Sequence, residues 1–178
     1  MIKGLTQLLI VCQLTLNQGH ICTQGSIGVN YSEDNIMKLT EHFTLEELTN
    51  SPTANGLHID NFPSDTIISS LMELSELLEK VRTIYSKPIV VTSGYRCEKL
   101  NKAVGGVKTS QHMKGEAADI RSLSNTRKDN KELFDLIVKM VKSNDIYVGQ
   151  VIDEYNYNWI HISTPHLTNN NQILHIHK

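Results

Sequence analysis

Residues 110–120 read SQHMKGEAADI. A histidine and an aspartate, His112 and Asp119, stand seven positions apart, with Gly115 and the small pair Ala117 and Ala118 between them. Seven residues is nearly two helical turns, a long reach for one helix face. The spacing works better if the chain turns at Gly115 and Asp119 enters a strand, ADI, where small neighbours allow backbone and metal to approach closely. A second histidine, His161, follows 42 residues after Asp119, inside WIHIS at 159–163. Strand alternation puts Trp159, His161 and Ser163 on one face and turns Ile160 and Ile162 to the core. A histidine opposite two core isoleucines points into a cleft. Histidine and aspartate are zinc-ligand types, and three protein ligands leave a fourth position for water, the arrangement of a catalytic site. On spacing alone, a metal-free domain whose histidines are hydrogen-bonded or solvated stays open beside the metal reading.

Working outward from these residues, the chain alternates helices and strands. FTLEEL predicts a short helix, with Thr44 and Glu47 at capping-box spacing. SPTANGLHIDNFPS, rich in Pro, Gly and Asn without periodicity, predicts a loop. From Ser64 or Asp65 a long helix is expected, because Ile67, Ile68, Leu71, Leu74, Leu77, Leu78, Val81 and Ile84 recur at three- and four-residue steps. PIVVTSGY reads as a buried strand and YRCEKLNKAVGG as a short helix or loop ending in Gly105-Gly106. TRKDNKELFDLIVKMVKSN is the second long helix, with Leu133, Phe134, Ile137, Met140 and Val141 on one face. YVGQVIDEY and NWIHIST predict a hairpin across a polar turn at 156–158, and ILHIHK predicts a last strand. Two main helices with adjacent antiparallel strands make the fold class α+β, with a small, mostly antiparallel sheet.

Bulk properties set limits on function. The 178 residues suit one domain, and 39% apolar with 20% charged residues describes a globular chain. A net charge of −2 excludes the basic footprint of a nucleic-acid binder, so no nucleic-acid partner is expected. Three cysteines, Cys12, Cys22 and Cys97, are an odd and irregular set, neither a disulfide framework nor a CxxC zinc motif. Eight histidines make metal worth pursuing. MIKGLTQLLIVCQLTL is too short and too polar for a transmembrane helix. Residues 1–36 read either as a weak secretory signal or as an over-extended start before Met37, with one domain over 37–178.

The pattern S-x-H-x-x-G-x-A-x-D, matched by Ser110, His112, Gly115, Ala117 and Asp119 and followed by the WIHIS strand, resembles the zinc D-Ala-D-Ala carboxypeptidases and L-Ala-D-Glu endopeptidases of the bacterial cell wall. HFTLEELTNSPTA, SGYR with LNKAVGG, and QVIDE look like the phage and bacterial branch of that family, so the resemblance spans about residues 39–165. It implies the fold shared with the Hedgehog signalling domain and one Zn2+ per chain, held by His112, Asp119 and His161. It implies that Glu154 is the general base on the metal-activated water. Alternation sends its neighbour Asp153 to the opposite face, as a solvated residue. The resemblance also gives Arg96 a substrate carboxylate or the oxyanion to hold. Ser110 it places near the metal, for a substrate or supporting hydrogen bond or as a turn cap, and Gln150 along the cleft. Trp159 is as readily a packing residue. His58, His166, His175 and His177 receive no role; the last two could take stray metal but are expected to face solvent. Cys97 reads as a free thiol.

The implied function is hydrolysis of a peptide bond in the peptidoglycan stem by a monomer. Carboxypeptidase and endopeptidase specificities both stay open, as do secretion and release from a cytoplasm as a phage lysis enzyme. The alternative is a non-catalytic zinc module that recognises wall peptides or a protein on the same fold. Retention of Glu154 and Arg96 argues against it, since a structural zinc needs neither.

Overall fold

The computed structural model describes residues 30–31, 36–166 and 170–177. The two readings of residues 1–36 therefore fall almost wholly outside the described residues. A two-stranded antiparallel ribbon pairs β1 (Asn30–Tyr31) with β2 (Met37–Lys38). Then come α1 (Leu45–Thr49), α2 (Pro52–Gly56), α3 (Asp65–Tyr85), β3 (Ile89–Ser93) and α4 (Glu98–Ala103). A 3-10 turn at Gln111–Lys114 leads into β4 (Ala117–Ser122), α5 (Arg127–Lys142), β5 (Gln150–Glu154), β6 (Trp159–Ser163) and β7 (Gln172–Ile176). The main sheet has the order β3-β4-β6-β5-β7. Its first three pairings are antiparallel, and β7 lies parallel to β5, so the chain is α+β with a mostly antiparallel sheet. Among the described residues no helix is long and apolar enough to cross a membrane.

Period and caps explain the helices. Thr44 Oγ1 accepts the Glu47 N–H and opens α1, as the capping-box spacing requires. In α3 the residues Ile68, Leu71, Leu74, Leu77, Leu78 and Val81 are buried along one stripe. Ile84, expected to close that stripe, is 57% exposed, because the core has ended one turn before the helix does. In α5, Thr126 caps the N-terminus through Asp129 N–H, and Leu133, Phe134, Ile137, Met140 and Val141 face inward. These two helices cover one face of the sheet, meeting Ala118, Ile120, Val151, Ile160 and Ile162 in a single core.

Two expectations about elements are corrected. SPTANGLHIDNFPS is not all loop: α2 forms with Ser51 as N-cap, accepting the Ala54 N–H, and Pro52 at the first turn. Ser-Pro is a helix-start signal, since proline lacks only an N–H that the first turn leaves free anyway. PIVVTSGY is an edge strand and not a buried one: only Ile89 of β3 is buried, and its one sheet neighbour is β4.

Candidate metal centre

The sheet face away from α3 and α5 carries the site. Strand register aligns Asp119 with His161 and His161 with Ile152, so β4, β6 and β5 present Asp119, His161 and, one pleat along, Glu154 to the same side. His112 arrives from the 3-10 turn, which ends at Gly115 in the left-handed region (φ 70°). A Cβ there would also sit 3.0 Å from Ile67, so glycine is favoured by both conformation and space. The turn brings His112 back over the start of β4, answering the long reach from His112 to Asp119.

His112 Nε2, Asp119 Oδ1 and His161 Nδ1 converge. The three separations are 3.2 Å between the histidines, 3.3 Å from His112 to Asp119 and 3.1 Å from His161 to Asp119. Three ligands on a tetrahedral zinc, each about 2.0–2.1 Å from the ion, lie roughly 3.3 Å apart. The donor set fits that ion with little rearrangement. His112 Nδ1 stands 2.8 Å from the Gly94 carbonyl, which can only accept, so the ring carries its proton there and turns the Nε2 lone pair into the site.

Arg96 enters this cluster directly. Its Nη2 donates to Asp119 Oδ2 at 2.6 Å and its Nε donates to Ser93 Oγ at 2.8 Å. Asp119 is thus held on one oxygen while the other faces the histidines. Burial would push its carboxyl up, but the hydrogen bonds and charge of His112 and His161 hold it well below the usual carboxylate range. Glu154 differs. Burial, joined by the negative charge of Asp119, raises its carboxyl above the ordinary value. Two carboxylates of one cleft are pushed in opposite directions, the pattern expected of a fixed ligand and a proton-transferring base.

A cleft of about 590 Å³ joins Arg96, Ser110, His112, Asp119, Gln150, Glu154, Trp159 and His161, which include every residue singled out from the sequence as a candidate for the site. Ser110 is nearly buried at the entry to the 3-10 turn, and its carbonyl accepts the Met113 N–H. Gln150 donates from Nε2 to Gln172 Oε1 at 3.0 Å, which ties the cleft wall to β7. Trp159 packs on Tyr155 with ring centroids 5.0 Å apart, so it both packs and lines the cleft. Cys97 is a partly buried free thiol, and its N–H donates to Asn61 Oδ1.

The turn after Glu154 holds three consecutive left-handed residues, Tyr155, Asn156 and Tyr157. Such a run needs outside support. It comes from α5: Arg127 Nη1 donates to the Tyr155 carbonyl at 2.7 Å, and Asn130 Nδ2 to the Tyr157 carbonyl at 2.9 Å. The helix thereby fixes the end of β5, where Glu154 sits.

Sequence reasoning missed the Gly94 carbonyl, Ser93 and Ile176, because each acts through a tertiary contact and none has a chemically distinctive spacing. Asp153 is a correction: expected to be solvated, it is wholly buried on the helix-covered face. His175 and His177 are exposed, as expected, but both turn a nitrogen toward Asp153.

A family model described as Peptidase M15 matches residues 41–163, most of the chain, from just before α1 to the end of β6. No curated protein matches the chain.

Proposed function

The chain belongs to the peptidase M15 family, a family of zinc peptidases, and from that premise we propose that it hydrolyses a peptide bond in the peptidoglycan stem peptide. The observation that carries this reading is the convergence of His112 Nε2, Asp119 Oδ1 and His161 Nδ1 in a cleft that also holds Glu154 and Arg96. A zinc-binding module without catalysis needs neither a carboxylate nor an arginine in the cleft beside the cluster, and so the reading is enzymatic.

In this proposal His112, Asp119 and His161 hold one Zn2+. Bound there, the ion supplies a Lewis acid that lowers the pKa of water to about 7 and polarises the scissile carbonyl. Glu154 takes the proton from the attacking water and returns it to the departing amine, which lets one carboxylate serve both halves of the reaction. Arg96 is first a positioning residue: by occupying Asp119 Oδ2 it keeps Oδ1 on the histidines. Its guanidinium also borders the cleft, where it can meet the substrate's carboxylate or the developing oxyanion. Ser110 and Gln150 line the peptide path. D-Ala-D-Ala carboxypeptidase and L-Ala-D-Glu endopeptidase specificities both fit this apparatus.

The test is product identification by mass spectrometry after incubating the purified protein with defined muropeptides, with and without chelator. The expected result is a single cleaved bond, lost on chelation and restored by Zn2+. Free D-Ala identifies the carboxypeptidase, and an L-Ala terminus the endopeptidase. Intact muropeptide under both conditions would overturn the reading.

A further inference from the structure

A second cluster lies on the other face of the sheet, behind Glu154. Asp153 is the register partner of His175 in the parallel β5–β7 pair. Alternation along β7 carries His177 to the same side as His175. The Asp153 carboxylate is wholly buried, and its Oδ1 accepts the Tyr157 N–H. Its Oδ2 faces His175 Nδ1 at 3.3 Å and His177 Nδ1 at 3.9 Å. One donor atom from each of the three residues lies within 4.8 Å of the others. The His175 ring is itself held, 5.2 Å from Phe134 and stacked on His177 at 5.8 Å.

A carboxylate removed from water is costly unless a positive charge accompanies it. Among the described residues, no lysine or arginine forms an ion pair with Asp153. Lys131, on α5, lends Asp153 some positive charge from a distance, but its ammonium is exposed and pairs with Asp135 at 2.6 Å. What faces the carboxylate is a pair of imidazole nitrogens, and a divalent ion between these three groups would neutralise it.

We propose that Asp153, His175 and His177 form a second divalent-metal site, separate from the cleft, that fastens the last strand to the sheet. Two imidazoles and one carboxylate suit zinc and its first-row neighbours. The cluster is more open than the one in the cleft, with the widest gap to Asp153 at His177, which follows the end of β7. Both histidines lie beyond the segment matched by the family model, and Asp153 lies within it, so the site would join β5 to the C-terminal strand. Its consequence reaches the cleft from behind. Ile176, between the two histidines, lines the cleft beside Glu154, and its carbonyl accepts the Tyr155 N–H at 2.8 Å. Metal at the back of β7 steadies that wall.

The probe is Zn2+ alone, titrated into metal-free protein and counted by calorimetry and by metal analysis after gel filtration. The unmodified chain should bind two equivalents, His175→Gln/His177→Gln one, and His112→Ala/His161→Ala one, with none left when all four changes are combined. In the His112→Ala/His161→Ala chain, added Zn2+ should slow amide exchange across residues 172–177 at least several-fold. Loss of the cleft's equivalent alone would count against the metallopeptidase reading and leave this one standing. A stoichiometry unaltered by His175→Gln/His177→Gln, or exchange in β7 indifferent to Zn2+, overturns the second site.

Discussion

His112 shows how much of a candidate metal site is decided outside its donor atoms. Its proton sits on Nδ1 because the Gly94 carbonyl is 2.8 Å away, and only then does Nε2 present a lone pair to the cluster. Glu154 is tuned in the opposite sense to Asp119, and two predictions follow from that difference. With the metal in place, Glu154→Gln should lower kcat by about 10²- to 10⁴-fold, the usual worth of a general base, while zinc content stays unchanged. Retained turnover in that variant would remove Glu154 from the chemistry. In the metal-free chain the same change should act on stability. A carboxyl whose folded pKa is raised destabilises the fold above that pKa, where both states are ionised, and costs nothing once the pH falls below the unfolded value near 4.5. Glu154→Gln should therefore raise Tm modestly at about pH 7 and leave it unchanged at about pH 3. A lowered Tm at neutral pH would contradict this sign. Legibility at this scale was uneven: residue type and spacing singled out His112, Asp119 and His161 as candidates, and the family resemblance added Glu154; the structure gathers all four into one cleft, whereas Asp153 was misjudged. Alternation correctly put Asp153 on the face opposite Glu154, but which face the helices cover is not written in that alternation.

At the scale of elements, the site depends on the loop from β3 into α4. Gly94 lies against α1 so closely that an added Cβ would fall 2.2 Å from the Leu48 carbonyl. That carbonyl also accepts the Tyr95 N–H at 2.7 Å, and Asn61 Nδ2 donates to the Tyr95 carbonyl at 3.0 Å. Gly94→Ala must push this loop away from α1, and with it the carbonyl that orients His112 and the backbone that carries Arg96. The expected cost is about 1–3 kcal/mol of stability, typical of overpacking. Zinc affinity should weaken in the same variant, measured by competition with a chromophoric chelator. Normal zinc affinity in a destabilised Gly94→Ala protein would separate the loop from the site. SGYR is legible as a motif, but the need for glycine comes from a helix some 45 positions upstream, a contact no local pattern encodes.

Across the whole molecule, the three donors come from a 3-10 turn, β4 and β6, and β4 and β6 are neighbours in the middle of the sheet. An ion bound to all three ties segments that are distant in sequence and binds the folded chain alone. Zn2+ at 1,000 times its Kd should then add about 4 kcal/mol to stability. Chelation should lower Tm by several degrees, and readdition of Zn2+ should restore it. A Tm indifferent to chelator, in protein shown by metal analysis to have carried zinc, would refute the coupling. The α+β class and the two long helices were visible from period alone. The parallel placement of β7 was not, since ILHIHK has the same alternation whichever strand it joins.

The sequence by itself determined the types of element and the identity of the chemical groups. Period marks which side chains of one helix or strand share a face, and residue type marks which can bind metal or move a proton. Both are properties of a few consecutive residues. Only the tertiary structure decided which faces meet. It brought Arg96 onto Asp119, the Gly94 carbonyl onto His112, and His175 and His177 onto a buried Asp153. Each of these depends on strand register and on packing between segments far apart in the chain. Their physical basis is the burial of polar groups that then require partners, and that requirement exists only once the core has closed.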